Sequence, residues 1–347
     1  MTPAASETRT APTLDTLILS FPSISHFLPS TSHLNLVTTT ARQSTALTVS
    51  IRIPDDSNSP WDPLQAEPSS SASSSSTSTS SAPPSSHFSP VQLWLPLERV
   101  IAQVYSAATS AFLSQDRMLA TVDVVLEPMR GLPYCTPSTA QVKRWEWSEG
   151  KSNLGDDGGL QGVAYEQQRA DYRVVALGGT FDHLHAGHKI LLTMACAIAT
   201  EKIIVGVSDD DLLINKKHRQ YLQPLSQRIS AIQGFIELVR PSLQHDVVPL
   251  QDVYGPTAHD PEIEALVVSE ETRSGGDTIN KLRQSNGLNV LDVHVINLVA
   301  DDAAAPVDGE SSADSAPAVK VEASAKMGST AIRHWLAERE TMGAKAV

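Results

Sequence analysis

The sequence has little cysteine, no cluster of basic residues and no long apolar run. Its two cysteines, Cys135 and Cys196, allow one disulfide at most, so a reducing compartment is expected. The formal net charge is -13, and without grouped Lys and Arg a polynucleotide partner is not expected. No apolar run approaches the roughly 20 residues of a membrane span, and the first residues lack the features of a secretory signal. These absences predict a cytoplasmic protein, with the nucleus as the alternative, that binds neither nucleic acid nor membrane.

Two common nucleotide-binding motifs are also missing. The G-x-G-x-x-G fingerprint of dinucleotide-binding folds does not occur, and neither does the G-x-x-x-x-G-K-[S/T] loop of many kinases and ATPases. A kinase activity is therefore not expected in this chain.

Four segments lack the composition of a folded core. Residues 69–81 consist of ten Ser, two Thr and one Ala, which leave almost nothing to bury, so 55–90 is predicted to be disordered. Residues 300–325 are acidic and rich in Ala and Pro, and are predicted to form a second disordered insertion. A linker rich in Gly, Asp and Ser is predicted over 148–170, and a disordered N-terminus over 1–13.

The remaining pieces predict two α/β domains. The first, 14–147 without its insertion, shows strand-like runs near 47–53 and 119–126 and a helical pattern over 97–112, but no catalytic spacing. The second, 171–340, predicts strands over 174–177, 202–207, 244–249, 266–268 and 290–296, and helices over 187–200, 226–239, 278–284 and 329–339. Such alternation predicts a doubly wound parallel sheet, which binds ligands beyond the carboxyl ends of its strands.

The most informative segment is 178–188, Gly-Gly-Thr-Phe-Asp-His-Leu-His-Ala-Gly-His, which joins the first strand of the second domain to a helix. Gly178 and Gly179 let the backbone approach a ligand closely, and Thr180 adds a hydroxyl group. The helix that starts near Gly187 offers free N–H groups and the positive end of its dipole. The segment therefore predicts a phosphate site.

Histidines give this segment its chemistry. His185 and His188 are three residues apart at the helix entry, so both rings can face one phosphate and stabilise its growing charge during nucleotidyl transfer. With His183 they could instead form a metal cluster, but no nearby Cys or spaced acid completes a tetrahedral set, so no metal site is predicted. A purely structural turn is the other alternative. Phe181 is expected in the core, and Asp182 as a hydrogen-bonding residue of the turn.

A second phosphate-binding segment is predicted near the end of the chain. Ser329 and Thr330 open the last helix, where hydroxyls cap the helix and free N–H groups bind anions. Lys326 precedes this start and Arg333 lies one turn into the helix, so together they could hold the β- and γ-phosphates and release pyrophosphate. An ordinary capped helix is the alternative. Because a predicted disordered insertion precedes it, the segment could also move as a lid.

The motif at 178–189 resembles the first signature of the H-x-G-H nucleotidylyltransferase superfamily. More narrowly, the chain from about Arg173 onward resembles eukaryotic phosphopantetheine adenylyltransferases, including the adenylyltransferase domain of CoA synthase. Supporting segments follow in the expected order: Val-Gly-Val-Ser-Asp at 205–209, Gln-Pro at 223–224 with Arg228, Asp-x-Tyr-Gly-Pro at 252–256, Val-Val-Ser-Glu-Glu-Thr at 267–272 and Lys-Met-Gly-Ser-Thr-Ala-Ile-Arg at 326–333.

This resemblance implies a Rossmann-like nucleotidylyltransferase fold and the reaction of ATP, accompanied by Mg²⁺, with 4′-phosphopantetheine to give 3′-dephospho-CoA and pyrophosphate. Thr180 would orient the reacting phosphate, His188 with His185 would stabilise the α-phosphate, and Lys216 would bridge the reacting phosphates. The residues expected to bind ATP and its phosphates are Gly178, Gly179, Thr180, Phe181, Gly187, His188, Lys326, Ser329, Thr330 and Arg333.

The acceptor side is less sharply defined by the resemblance. Lys216 is favoured over Lys217 as a phosphate ligand, and Tyr254 is expected to contact the acceptor. Bacterial relatives carry an arginine in the loop after the strand at 266–268, where Arg273 stands displaced in this chain.

Two further hypotheses stay open at this point. The chain could transfer a cytidylyl or adenylyl group to a different phosphate acceptor. It could also be a non-catalytic scaffold for other CoA-biosynthesis enzymes, which are candidate partners of the chain. The intact motifs argue against a scaffold, because a scaffold needs neither of them.

Overall fold

The computed structural model describes residues 14–21, 29–52, 94–127, 142–144, 172–296 and 328–345. The predicted disordered segments 1–13, 55–90 and 300–325, the predicted linker 148–170 and the predicted ligand Lys326 lie outside these residues. None of the helices in the described part combines the length and apolar character that a membrane span requires.

The N-terminal unit is a parallel sheet with two helices. Its strands lie in the spatial order β3-β2-β1-β4 and its helices precede β2 and β3 in the chain. The elements are β1 (Leu14–Ser20), α1 (Thr31–Gln43), β2 (Ala46–Arg52), α2 (Trp94–Leu113), β3 (Thr121–Leu126) and β4 (Val142–Arg144).

The sequence pattern did not predict α1. Its start is fixed by a capping box, in which the Ser30 side chain accepts from the His33 N–H and the His33 ring accepts from the Ser30 N–H. Few large apolar residues mark its buried face, which rests on Val37 and Ala41 and packs against α2.

The C-terminal unit is a larger parallel sheet in the order β7-β6-β5-β8-β9. Its elements are β5 (Tyr172–Gly179), α3 (Ala186–Ile198), β6 (Ala199–Ser208), α4 (Leu225–Val239), β7 (Gln244–Leu250), β8 (Ala265–Ser269), α5 (Arg273–Ser285), β9 (Asp292–Ile296) and α6 (Ser329–Lys345). Helices cover both faces, so the predicted α/β, Rossmann-like, doubly wound fold is confirmed. The strand order reverses between β5 and β8, and in such sheets ligands bind at this switch point.

The two faces of the larger sheet are packed differently. On one face, Val175 and Leu177 join α3, α4 and the N-terminal unit in one continuous buried core, where α2 packs against α3. On the other face, Val174 and Ala176 form a smaller cluster covered by α5. The first face is thus covered by α3 and α4 and, beyond them, by the N-terminal unit. The second face is covered by α5 alone among the described helices.

A buried arginine fastens α5 to the loop before β8. The guanidinium of Arg283 is fully buried and donates to the carbonyl oxygens of Asn289 (2.6 Å), Thr257 (2.7 Å) and Asp260 (2.9 Å). The bonds to Thr257 and to the Ile263 carbonyl oxygen (3.4 Å) are buried, so these two acceptors are kept from water and accept from the arginine.

Replacing Arg283 with Met should therefore lower the free energy of unfolding by about 3–5 kcal/mol, because it leaves the buried carbonyl oxygens of Thr257 and Ile263 without this donor. Lys281→Met is the matched control, since Lys281 lies on the same helix with its side chain exposed, and should change stability by less than about 0.5 kcal/mol. Urea unfolding followed by circular dichroism measures both variants. Equal effects would contradict the structural role of Arg283.

Candidate active site

The turn after β5 has an unusual backbone. Phe181 and His183 both have positive φ angles, 50° and 46°, which residues with a side chain rarely adopt. The Phe181 ring is fully buried and lies under Gly179, where a Cβ atom would stand 3.2 Å from the ring. Backbone strain of this kind persists only where the surroundings enforce it, and it is concentrated at functional sites.

The segment before α4 holds this turn in place. The backbone N–H of His183 donates to the Gln223 side chain (2.7 Å), and its ring Nε2 lies 2.8 Å from the Tyr221 carbonyl oxygen. The Gln223 N–H in turn donates to the buried carboxylate of Asp182 (2.9 Å). Asp182 is thus a hydrogen-bonding residue of the turn, as the sequence predicted.

The two candidate catalytic histidines lie together at the start of α3. Their rings are stacked, with centroids 3.9 Å apart, and the His188 ring also contacts Phe181. His185 occupies the position before the helix without capping it through its side chain, so the first N–H groups of α3 keep their capacity for an anion.

Both histidines are neutral at pH 7. Removal from water, followed by the charges of Lys189 and His183, lowers the pKa of His185 from 6.5 to about 3. Burial and the neighbouring His185 hold the pKa of His188 well below its usual value. Among the described residues, the buried Nδ1 atom of His188 has no hydrogen-bond partner.

A cavity of about 530 Å³ opens beside the turn, on the face of the sheet that α5 covers. It lies at the carboxyl ends of β5, β6 and β8, and its walls include the loops that follow β6, β7 and β8. Five residues predicted from the sequence meet in its lining, namely Gly178, Gly179, Thr180, Lys216 and Tyr254. The histidines lie at the start of α3 on the opposite face, and the turn that leads to them begins at Thr180 in the cavity lining.

Glycines make room for this cavity. Gly178 pairs with Gly206 across β5 and β6, and both line it. A Cβ atom at Gly206 would stand 2.6 Å from the Leu250 side chain, which is too close for an unchanged structure. The paired glycines therefore let Leu250 lie over the sheet and form one cavity wall.

The last helix is bound to the same turn. The Ser329 hydroxyl donates to the Asp182 carbonyl oxygen (2.8 Å), and Arg333 forms an ion pair of 2.5 Å with the Asp182 carboxylate. The Arg333 guanidinium also donates to the Lys217 carbonyl oxygen (3.0 Å) and to the Thr330 hydroxyl (3.2 Å). Arg333 is buried by these contacts, so in this structure it joins the two predicted phosphate-binding segments, and its role as a phosphate ligand stays a prediction.

Three other predicted residues lie outside the cavity lining. Lys217 is exposed and contributes its carbonyl oxygen to Arg333. Arg273 is exposed and pairs with Glu270 at 3.5 Å. Gly187 lies in the first turn of α3, where a Cβ atom would stand 3.3 Å from the His185 ring. Glycine at 187 thus leaves room for that ring.

Sequence analysis assigned no role to Arg228, which the structure places behind the site. Its fully buried guanidinium donates to the carbonyl oxygens of Thr180 (3.0 Å), Ser208 (2.7 Å) and Gln223 (3.0 Å) and pairs with Asp210 (2.8 Å). It therefore ties the carboxyl ends of β5 and β6 together. A lone arginine on the buried face of an amphipathic helix was the signal for such a role.

Comparison with known proteins places this region in one family. The model of the Cytidylyltransferase-like family matches residues 176–334. A Saccharomyces cerevisiae phosphopantetheine adenylyltransferase is 48% identical over 128 residues, which are 37% of this chain and 42% of the yeast protein. An uncharacterised Schizosaccharomyces pombe protein is 40% identical over 126 residues, 36% of this chain and 40% of that protein. The match thus spans less than half the length of these two relatives.

The match with an archaeal relative covers a larger share of that relative's length. The phosphopantetheine adenylyltransferase of Methanopyrus kandleri is 37% identical over 132 residues, which are 38% of this chain and 83% of the archaeal protein. The family model covers the histidine turn, the cavity lining and the start of the last helix. The chain therefore belongs to the phosphopantetheine adenylyltransferase family.

Proposed function

We propose that the protein transfers an adenylyl group from ATP to 4′-phosphopantetheine, forming 3′-dephospho-CoA and pyrophosphate. A phosphate oxygen of the acceptor attacks the α-phosphorus of ATP, and the bond from that phosphorus to the bridging oxygen of pyrophosphate breaks. The attacking oxygen is already anionic, so no general base is needed. Positioning and electrostatic stabilisation then supply the catalysis.

The observation that carries this proposal is that one turn connects two different sites, with Thr180 in the cavity lining and the histidine pair at the other end of the turn. On one side lies the stacked pair of His185 and His188 at the open start of α3, which suits an α-phosphate. On the other side lies the cavity with Lys216 in its lining, which suits a phosphorylated acceptor. A reaction between two phosphates requires that the site of one phosphate adjoins the site of the other.

The cavity fits the acceptor in its chemistry. Phosphopantetheine is a slender chain with a phosphate at one end and a thiol at the other. Leu212, Leu250 and Val253 give the cavity apolar walls for such a chain, while Thr180 and Lys216 provide polar groups for its phosphate.

Magnesium would enter with the nucleotide as MgATP. Among the described residues, no group of three or more His, Cys, Asp or Glu side chains could hold a metal ion. Mg²⁺ prefers phosphate oxygens and waters to such sets, so the triphosphate itself would supply its ligands.

The neutral state of the histidines suits a role as hydrogen-bond donors. A neutral imidazole donates one N–H and adds no charge before the substrate arrives. Charge then develops on the α-phosphate in the transition state, where donors fixed in advance are most effective.

Replacing His188 with Ala should lower kcat by about 10²–10³, because one donor to the transition state is lost. The readout is pyrophosphate release with MgATP and 4′-phosphopantetheine. His245→Ala is the matched control, since His245 lies near the start of β7, at the opposite end of the sheet. Near-normal turnover of a folded His188 variant would refute the proposed role.

Lys216 and Lys217 offer a comparison between neighbours. Lys216→Met should lower kcat/KM for 4′-phosphopantetheine by about 10²-fold, because a cation beside the reacting phosphates is lost. Lys217→Met should stay within about threefold, because Lys217 contributes its backbone carbonyl oxygen to Arg333 and its side chain lies outside the cavity lining. A larger loss of kcat/KM in Lys217→Met than in Lys216→Met would assign the phosphate contact to Lys217.

His185 should make the fold sensitive to acid. Its pKa is about 3 in the folded protein and 6.5 in an unfolded chain, so the unfolded state binds more protons between these values. The free energy of unfolding should therefore fall as the pH drops below 6.5. Between pH 7 and pH 5, His185→Gln should lose about 1–2 kcal/mol less stability than the wild type. Urea unfolding at both pH values tests this, and equal losses would contradict it.

A further inference from the structure

The N-terminal unit contacts α3, the helix that begins at the histidine pair, through a buried lysine. Lys189 follows His188 directly, and its backbone N–H donates to the His185 carbonyl oxygen (3.0 Å) in the first turn of α3. Its side chain extends to β3 of the N-terminal unit, where Nζ donates to the Val122 carbonyl oxygen (2.8 Å) and to the Asp123 carboxylate (2.7 Å). Lys189 is only 6% exposed, so these two hydrogen bonds take the place of water around its ammonium group.

The partners of Lys189 are available because β3 lies at the edge of the first sheet. An edge strand pairs on one side only and leaves carbonyl groups without a backbone partner on the other. Val122 supplies such a carbonyl, and Asp123 adds the opposite charge. Lys189 therefore fixes the first turn of α3, and with it His185 and His188, against the N-terminal unit.

A second contact links the N-terminal unit to the last helix. Asp116, which follows α2 with a φ of 55°, accepts a hydrogen bond from Trp335 Nε1 (3.0 Å) and pairs with Arg339. The Arg339 guanidinium lies over the Trp335 ring, 4.3 Å from its centroid. These two α6 residues are four apart and so share one face of the helix.

The same helix holds the histidine turn at its other end. Ser329 and Arg333 bind Asp182 from the first turns of α6, and Trp335 lies only two residues further on. Since Asp116 and Arg339 are both largely exposed, this contact should be weaker than the one at Lys189.

We propose that Asp123 and Asp116 are positioning residues of the adenylyl-transfer site, each acting from the N-terminal unit on one of its two phosphate-binding segments. Asp123 acts through Lys189 on the start of α3, and Asp116 acts through Trp335 and Arg339 on α6, which opens with the second segment. This inference rests on the proposed function, and it gives the N-terminal unit a role in catalysis through its contacts with α3 and α6.

A double-mutant cycle in the full chain tests the stronger contact. Asp123→Ala and Lys189→Met should each lower kcat by about tenfold with KM within about twofold, because misplaced groups act on the transition state. The double variant should also lose about tenfold, since both changes remove one contact. Lys189→Arg, which keeps the donors, should retain at least half of the wild-type kcat. Asp123 is 24% exposed, so water can reach the lysine in the Asp123 variant and the fold should persist.

Two further variants test the weaker contact and provide a control. Asp116→Ala should lower kcat by about threefold and should multiply with the effect of Asp123→Ala, because the two contacts are separate. Glu201→Gln breaks the exposed pair with Arg173 in the C-terminal unit and should leave kcat unchanged. Wild-type kcat for every folded Asp123 and Lys189 variant would overturn the inference.

A readout without substrate separates this inference from the proposed function. The ring ¹H–¹⁵N signals of His185 and His188, assigned with Gln variants, should shift in Asp123→Ala and stay in place in Glu201→Gln. Unshifted signals in a folded Asp123→Ala protein would overturn the inference. A wild type that forms no dephospho-CoA while these signals do shift would refute the proposed reaction and leave the positioning role standing.

Discussion

The candidate site depends on one buried ion pair between residues 151 positions apart in the chain. The Asp182 carboxylate is fully removed from water, and Arg333 neutralises it from the last helix. A buried pair contributes little net stability compared with apolar residues, but either partner alone would be an uncompensated buried charge. Asp182 and Arg333 must therefore be buried together. The histidine turn consequently reaches its final geometry only when α6 has docked, so the two segments that the sequence suggested as phosphate binders form one unit.

This pair also explains how the turn keeps its strained backbone. Phe181 and His183 have left-handed conformations that cost of order 1–3 kcal/mol each unless the surroundings enforce them. Burial of the Phe181 ring favours one of them, and hydrogen bonds that His183 donates to the Gln223 side chain and the Tyr221 carbonyl oxygen hold the other. The Gln223 N–H also binds Asp182, so the strain and the ion pair are supported by the same segment. The result is a turn in which the histidine rings have a defined direction before any substrate arrives.

The sequence predicted the C-terminal fold and the histidine turn well because both are local signals. Strand and helix periods lie within short windows, and residues 178–188 are continuous. Long-range contacts were harder to predict. The first turn of α5 was missed because polar residues and glycines open it, and α1 was missed because a capping box and packing on α2 stabilise a weakly amphipathic segment. Arg333 was predicted as a phosphate ligand from its position in a helix, but nothing in its neighbourhood indicated a carboxylate 151 residues away.

The two faces of the larger sheet are suited to two different tasks of the proposed nucleotidyl transfer. One face is sealed by helices and by the N-terminal unit, so the histidines at the end of α3 rest on a rigid core. The other face is covered by α5, and Gly178, Gly206 and Gly276 keep side chains away from the space between them. In the proposed reaction, filling either face more evenly would remove a function, because the rigid face would position the reacting phosphates and the open face would admit the acceptor. Thr180 follows β5 and lines the cavity, so in that reaction a single turn would serve both substrates.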